Sequence, residues 1–176
     1  MNVICIQYYH SPVGEMVLGS YKDTLCIVNW RYGRHRERVE KRISKALNAP
    51  YVEETSIVIE ETKRQLGEYF SGKREVFDIP LCMAGTDFQK SVWKALLQIP
   101  YGETASYAEQ AKQIGNEKAV RAVASANGAN AISIFIPCHR IIGSNGTLTG
   151  YAGGLDTKAK LLEIERVEDE YNIKKY

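Results

Sequence analysis

Residues 106–128 read SYAEQAKQIGNEKAVRAVASANG, and this stretch decides the fold class of the second half of the chain. A capping box at Ser106 and Glu109 predicts the start of a short helix, which a glycine closes. Asn116 can then cap a second helix, which Gly128 ends. Two helices joined by a short turn that contains glycine are typical of a helix-turn-helix, so we expect that motif here.

The second of these helices has a distinctive outward face. Its apolar spacing predicts that Val120, Val123 and Ala124 point inward. The outward face then combines two cations with two very small side chains: Lys118, Arg121, Ala122 and Ser125. Such a face allows the backbone to come close to a phosphate-lined groove. A solvated, alanine-rich helix in a bundle is the alternative, and helical spacing alone favours it.

The residues that follow predict a turn and a last helix. Asn145-Gly146 is a strong hairpin signal between Arg140-Ile141-Ile142 and Thr147-Leu148-Thr149. A helix-turn-helix followed by a small hairpin is typical of a winged helix. The last helix is expected to begin near Asp156 and to bury three aliphatic side chains: Leu161, Leu162 and Ile164.

The first half of the chain has a different pattern, in which strand and turn signals come first. Residues 3–31 predict short strands separated by turn signals, and two helices are expected after them, the second capped by Ser56. Alternating apolar residues over 77–81 predict a final strand. A capping box at Thr86 and Gln89 then opens the first helix of the second half.

Together these patterns predict an α+β chain with two domains. Residues 1–83 are expected to form a small antiparallel sheet with helices, which supports the second domain. Residues 84–176 are expected to form a winged-helix (helix-turn-helix) domain. The composition, 44% apolar and 25% charged, is typical of a globular protein and excludes a disordered chain.

Charge and targeting signals add little. With 23 basic and 21 acidic residues, the net charge of +2 is not the footprint of a strongly basic nucleic-acid binder. No apolar run approaches the length of a membrane span, and the amino terminus has no secretory signal. We therefore expect a cytoplasmic protein, or a nuclear one in a eukaryote, that has no membrane partner. The four cysteines form no Cys-x-x-Cys pair, which argues against a zinc finger.

The candidate chemistry lies at Cys138 and His139, which end a buried apolar segment. A free thiol is mostly protonated at neutral pH, so a reactive cysteine needs a base, and an imidazole held by a carboxylate can serve. Successive residues of an extended segment point to opposite sides, so we expect a water between the thiol and the imidazole. An inert core cysteine beside a structural histidine is the alternative for an arbitrary Cys-His pair.

The motifs around this pair extend over residues 85–165. They are Gly85-Thr86-Asp87-Phe88-Gln89, Val92-Trp93, Tyr101-Gly102-Glu103-Thr104, Ser106-Tyr107, Ala119-Val120-Arg121-Ala122-Val123, Asn127-Gly128-Ala129-Asn130, Ile136-Pro137-Cys138-His139-Arg140, Gly150-Tyr151-Ala152-Gly153-Gly154, Lys158, Leu161, Leu162 and Glu165. In this order and spacing they resemble the O6-alkylguanine-DNA alkyltransferases, also called methylated-DNA–protein-cysteine methyltransferases. The first 83 residues resemble that family only loosely.

The resemblance implies DNA repair by a methyltransferase that is consumed in one turnover. An alkyl group, such as methyl, would move from O6 of guanine in DNA to Cys138, which restores the guanine. His139 would be the water-mediated base, Glu165 the acid behind it, and Asn130 a hinge residue bonded to the cysteine turn. The product is a thioether, which offers water no carbonyl to attack, so nothing would regenerate the thiol.

The resemblance also implies how double-stranded DNA that contains O6-alkylguanine is held after its base is flipped. Tyr107 would help to turn out the phosphate and would donate to the leaving guanine, while Tyr151 and the Ala152 amide would line the base pocket. Arg121 would fill the stack after base flipping. Three further side chains match positions that touch the DNA backbone: Gln89, Asn116 and Ser144. No cofactor is implied, and we expect a monomer.

Two departures from the family pattern stand out. Ala131 follows Asn130 where the family often has proline, for which we expect a small effect on stability. Some relatives hold a structural zinc in the first domain, but Cys5 and Cys26 lack a convincing second pair of ligands, so we expect no metal. The alternatives to alkyl transfer are a DNA-binding module without chemistry and, less favoured, a thiol hydrolase.

Overall fold

The structure, a computed structural model, describes residues 2–165. By their internal contacts these residues divide into two compact units, one that ends at Gly85 and one that begins at Thr86. No helix in the described part of the chain is long and apolar enough to span a membrane.

The first unit is a four-stranded sheet with two helices. Its elements are β1 (Ile4–Ser11), β2 (Gly14–Tyr21), β3 (Thr24–Trp30), α1 (Arg36–Leu47), β4 (Tyr51–Val52) and α2 (Ile57–Phe70). The strand order is β3-β2-β1-β4, with antiparallel pairs except for the parallel pair of β1 and β4. The predicted Ser56 cap is confirmed, because its hydroxyl accepts a hydrogen bond from the Ile59 amide at 3.1 Å. The predicted α+β class of the chain is also confirmed.

The strand predicted over residues 77–81 is wrong. This segment forms one bridge, between Leu81 and Leu25, where the Leu25 amide donates to the Pro80 carbonyl at 2.8 Å. Pro80 has no amide hydrogen to donate, so a ladder cannot continue through it.

The second unit is mainly helical. Its elements are α3 (Asp87–Leu96), β5 (Ala105–Ser106), α4 (Tyr107–Gln113), α5 (Val120–Gly128), a 3-10 turn (Cys138–Arg140), β6 (Ile141–Ile142) and α6 (Leu155–Ile164). Both predicted capping boxes are present, one at the start of α3 and one at the start of α4. Helices α4 and α5 pack on each other and on α3, as in a helix-turn-helix.

Helix α5 begins later than the sequence predicts. Asn116 lies in a turn, where its carbonyl accepts from the Ala119 amide at 3.0 Å, so it does not cap the helix. Val120 and Ala124 are exposed, which corrects their expected inward direction; the buried face consists of Val123, Ala126 and Asn127.

The predicted hairpin is also incomplete. Residues 143–146 form a tight turn, closed by a hydrogen bond of 2.9 Å from the Gly143 amide to the Thr147 carbonyl. Residues 147–149 form no strand, and β6 pairs in parallel with β5 instead. The short parallel pair joins the residues after the 3-10 turn to the start of α4.

Candidate active site

Cys138 is the first residue of the 3-10 turn, and the buried segment before it holds it in place. The Cys138 amide donates to the Ile136 carbonyl at 2.8 Å. Ile134, four residues before Cys138, has a φ of 72°, a left-handed conformation that β-branched residues rarely adopt. Its side chain is buried, so core packing maintains this strained backbone just before the cysteine.

Asn130 ties this segment together with its side-chain amide. Its Oδ1 accepts from the Ile132 amide at 3.0 Å, and its Nδ2 donates to the Ile136 carbonyl at 2.9 Å. The same Nδ2 lies 3.3 Å from the Sγ of Cys138. The asparagine therefore follows the end of α5 and contacts the cysteine turn directly.

The environment of Cys138 disfavours spontaneous ionisation of its thiol. Burial raises the pKa of Cys138, while the hydrogen bond from Asn130 and the charge of Lys158 act to lower it. The raised pKa leaves most of the thiol protonated at neutral pH, so a base is needed to form the nucleophile.

His139, Arg140 and Glu165 form a buried cluster beside the thiol. The Nε2 of His139 lies 2.6 Å from the Oε2 of Glu165. Arg140 holds both oxygens of the same carboxylate, with Nε donating to Oε1 at 2.7 Å and Nη2 to Oε2 at 3.2 Å. All three side chains are at least nine-tenths buried. Glu165 follows the last residue of α6, so this helix anchors the cysteine turn.

The cluster keeps Glu165 ionised. Burial alone would raise the pKa of Glu165, but interaction with His139 and the hydrogen bonds from His139 and Arg140 hold it well below its usual range. A carboxylate accepts a hydrogen bond from Nε2, which directs the lone pair of a neutral imidazole to Nδ1. That atom is buried and has no hydrogen-bond partner within residues 2–165. His139 is thus oriented as a base.

The residues that are expected to line a substrate pocket lie on α4 and in the segment after the tight turn. The Tyr107 hydroxyl donates to the Thr149 carbonyl at 3.1 Å and accepts from the Thr149 hydroxyl at 3.3 Å. Burial raises the pKa of Tyr107, so its hydroxyl keeps its proton. Tyr151 and Ala152 are half-buried two and three residues further on.

The expected DNA contacts lie on the surface of the second unit. Arg121, Asn116 and Ser144 are exposed. Gln89 is half-buried, and its Oε1 accepts from the Thr86 amide at 3.0 Å as part of the capping box. The side chain of Gln89 therefore caps helix α3, in addition to its expected contact with the DNA backbone.

Sequence reasoning assigned no role to Lys158, which the structure places in this region. Its side chain is fully buried, and its Nζ donates to the Thr149 carbonyl at 2.8 Å. The available signal was its spacing, because a lysine at 158 shares a helix face with Leu161, Leu162 and Glu165.

Cys26, in β3, is a buried cysteine of the first unit. Burial raises the pKa of Cys26 to about 12, with smaller contributions from the neighbouring Cys82 and Cys5. This thiol is therefore inert. Across residues 2–165 no group of three or more His, Cys, Asp or Glu side chains is arranged to hold a metal ion.

Comparison with known proteins identifies the family. Residues 87–167 match the family described as 6-O-methylguanine DNA methyltransferase, DNA binding domain, and residues 4–83 match its ribonuclease-like domain. A methylated-DNA–protein-cysteine methyltransferase of Methanosarcina acetivorans is 48% identical over 157 residues, which cover 89% of this chain and 95% of that protein. The constitutive protein of the same name from Bacillus subtilis is 42% identical over 174 residues, covering 92% and 97%.

Solved structures lead to the same assignment. The crystal structure of Mycobacterium tuberculosis O6-methylguanine methyltransferase has a TM-score of 0.78 and 40% identity, with 93% of each chain covered. The structure of M. tuberculosis OGT in complex with DNA has a TM-score of 0.79 and 40% identity, with 92% of each chain covered. On these matches, the chain belongs to the methylated-DNA–protein-cysteine methyltransferase family.

Proposed function

We propose that this protein repairs DNA by transferring an alkyl group, such as methyl, from O6 of guanine to the sulfur of its own Cys138. The observation that carries the proposal is the arrangement around the thiol. The side-chain amide nitrogen of Asn130 lies 3.3 Å from the Sγ of Cys138. His139, the residue after Cys138, has its Nε2 2.6 Å from the buried carboxylate of Glu165. This arrangement combines a nucleophile, a base and a group that orients the base.

The reaction begins with deprotonation of Cys138. The thiol proton passes through a water to Nδ1 of His139, and Glu165 stabilises the imidazolium that forms. Because Arg140 binds both oxygens of Glu165, the carboxylate stays ionised and in place throughout. Asn130 supports the resulting thiolate through its amide hydrogen bond to sulfur.

The thiolate then attacks the alkyl carbon that is bonded to O6. The S–C bond forms as the C–O bond breaks, and the electron pair of that bond moves to O6 of guanine. The guanine anion takes up a proton that the Tyr107 hydroxyl donates, and the proton that His139 received from the thiol restores the neutral hydroxyl through solvent. A thioether remains on Cys138, and since hydrolysis cannot reverse it, each protein molecule acts once.

The base must leave the duplex before this reaction, at a cost of a few kcal/mol. We assign Arg121, exposed on α5, to the gap that the flipped nucleotide leaves in the stack. The neighbouring Ala122 and Ser125 are small and exposed, which allows α5 to approach a groove closely. Tyr151 and the Ala152 amide would then read the extruded base.

Contacts with the DNA backbone complete the proposed interface. Gln89, Asn116 and Ser144 offer uncharged hydrogen-bond donors, in keeping with a net charge of only +2. The protein would act in the compartment that contains the genome, the cytoplasm in a cell without a nucleus, and as a monomer.

Mass spectrometry of the protein and of its Cys138 peptide tests the proposal. The protein is mixed with duplex DNA that contains one O6-methylguanine, and the mass of the Cys138 peptide is followed. We expect one methyl group per protein molecule in the wild type, none in Cys138→Ser, and a full methyl group in the control Cys5→Ser, whose cysteine is also half-buried. Wild-type protein that binds the lesion without gaining mass would support a DNA-binding module and overturn transfer.

A further inference from the structure

Residues 99–103, between α3 and β5, form a turn to which the proposed reaction assigns no role. The Glu103 amide donates to the Pro100 carbonyl at 3.1 Å, which closes the 99–103 turn. Within it, Gly102 has a φ of 81°, a left-handed conformation that favours glycine. The turn contacts the end of α6, where the carboxylate of the candidate site begins.

The hydroxyl of Tyr101 binds the last turn of α6. It donates to the carbonyl of Ile164, the last residue of that helix, at 3.1 Å. The last four carbonyls of a helix have no partner within the helix, so a side-chain donor here satisfies one of them. Because Glu165 follows Ile164 directly, the hydrogen bond fixes the backbone from which the Glu165 carboxylate extends.

Gly102 allows the backbone of the turn to come close to the backbone of Glu165. A Cβ atom at position 102 would lie 3.3 Å from the carbonyl oxygen of Glu165, which is closer than ordinary van der Waals contact. A side chain at position 102 would therefore have to displace that carbonyl by a few tenths of an ångström.

The same turn also holds the guanidinium that binds the carboxylate. The Nη1 of Arg140 donates to the Ile99 carbonyl at 2.6 Å, and its guanidinium carbon lies 5.9 Å from the centre of the Tyr101 ring. A cation at this distance is attracted to an aromatic ring. Since Arg140 binds both oxygens of Glu165, the turn restrains the carboxylate at its backbone and at its counter-ion.

We propose that Tyr101 and Gly102 are positioning residues of the alkyl-transfer site, which hold the end of α6 so that the Glu165 carboxylate stays on the Nε2 of His139. The proposal rests on the proposed function. Both residues act through Glu165, because a carboxylate that moves with a displaced backbone loses the alignment of its hydrogen bond and orients the imidazole less well.

Two substitutions test the two contacts, and each has a matched control in the first unit. Tyr101→Phe removes the hydroxyl and keeps the ring; Tyr51→Phe removes a hydroxyl that also donates to a backbone carbonyl, at 2.6 Å, from a half-buried tyrosine. Gly102→Ala adds a methyl group at a positive φ against a close neighbour. Gly72→Ala adds one at a φ of 75°, where among the described residues only its neighbours in the chain lie within 4 Å.

Thermal unfolding of each variant establishes that it folds. The two tyrosine variants should lose similar amounts of stability, because each loses one hydrogen bond to a backbone carbonyl. Tyr101→Phe still tests the proposal if Gly102→Ala does not fold.

The first readout is the nuclear magnetic resonance signal of the proton on the Nε2 of His139, in protein that contains isotope-labelled histidine. This measurement needs neither DNA nor alkyl transfer. The hydrogen bond to Glu165 and the burial of both side chains should protect this proton from exchange with water. His10 and His35 are exposed, so their ring protons exchange rapidly and do not interfere.

We expect this protected proton in the wild type and in both controls. In Tyr101→Phe and Gly102→Ala its signal should move upfield, because the hydrogen bond to the carboxylate is weaker. Its exchange with water should be about threefold faster in Tyr101→Phe and about tenfold faster in Gly102→Ala.

The second readout is benzyl transfer from free O6-benzylguanine to Cys138, followed by intact mass at a series of substrate concentrations. This reaction needs the base but no base flipping. We expect the maximal rate to fall about threefold in Tyr101→Phe and about tenfold in Gly102→Ala, while the half-saturating concentration stays within about twofold of the wild type. Both controls should keep the wild-type values.

Exchange rates and maximal rates that match the controls in both variants would overturn the proposal and leave the turn a purely structural contact. If the wild type takes up no benzyl group while the exchange of the His139 proton still depends on residues 101 and 102, the proposed function fails but the positioning of Glu165 stands.

Discussion

The two units bury different kinds of polar side chain. Within the described residues, the first unit buries only neutral ones: Ser11, Ser20, Asn29, Thr62 and Gln65. The second unit also buries four titratable or charged side chains: His139, Arg140, Lys158 and Glu165. Both units contain many lysines, arginines and glutamates, yet in the first unit these charges remain outside the core. A comparison of the two units therefore locates the chemistry without reference to any motif.

The buried charges of the second unit are connected to one another. Glu165 binds His139 and Arg140, and Lys158 acts on Cys138, which precedes His139 in the chain. Buried ions are costly, and hydrophobic residues of similar volume often stabilise a protein as well or better. The proposed reaction of Cys138 gives a reason for their presence around this thiol.

Replacing Glu165 by glutamine should have the largest effect on stability. The change leaves the buried guanidinium of Arg140 without its anion, so the free energy of unfolding should fall by about 3–5 kcal/mol in urea unfolding. Glu61→Gln is the control from the first unit, because Glu61 forms an ion pair with Arg64 on the exposed face of α2. An equal loss of unfolding free energy in both variants would show that the buried and the exposed carboxylate contribute equally, and would contradict the contrast between the two units.

Acid should weaken the same interaction progressively. The pKa of Glu165 is held below its unfolded value, so its contribution is fully present above about pH 4.3 and is lost as the pH falls further. Urea unfolding from about pH 7 to about pH 3 should therefore show the gap between wild type and Glu165→Gln narrowing as the pH falls. A gap that stays constant over this range would contradict the lowered pKa of Glu165.

Replacing Arg121 by alanine sharpens the comparison within the second unit, because this cation is exposed. We expect repair of duplex DNA to slow by about tenfold or more, since the extruded base loses the side chain that fills its place. Reaction with free O6-benzylguanine needs no extrusion and should change little, as should thermal stability. Equal losses on the duplex and the free base would refute the assignment of Arg121.

Replacing Ser56 by alanine should have the smallest effect. The change removes the cap of α2, where the Ser56 hydroxyl accepts from the Ile59 amide at 3.1 Å, and should lower the free energy of unfolding by about 1 kcal/mol. Methyl transfer by the folded protein should keep its wild-type rate, as measured by intact mass. A slower transfer would mean that the first unit contributes to the reaction.

Local signals were predicted well from the sequence. The capping boxes at Thr86 and Ser106 and the last helix near Asp156 were correct, because each depends on contacts within one turn of chain. The failed predictions have two kinds of cause: Pro80 interrupts a strand locally, whereas the hairpin depends on a partner that is distant in sequence. Residues 143–146 form the predicted turn, but the residues after Gly146 form no second strand, since β6 pairs with β5.

The residue types of the site could be read from the sequence, and the family resemblance implied that Asn130 bonds to the cysteine turn and that Glu165 lies behind His139. The backbone geometry of these contacts could not be read from it. Asn130 and Cys138 are eight residues apart, and the geometry that joins them depends on the left-handed backbone at Ile134, which no propensity predicts. Lys158 was overlooked because lysine on a helix is usually solvated; only the packing of α6 against the 3-10 turn shows that it is buried.

The sequence by itself determined the family, the fold class, most helix starts and the candidate Cys-His pair, because spacing and side-chain chemistry are properties of the chain. The tertiary structure decided that Arg140 shares the Glu165 carboxylate with His139, and that Lys158 is buried in the helix that packs against the cysteine turn. These relations arise from burial, which changes the energy of a charge and depends on segments that meet only in the folded protein.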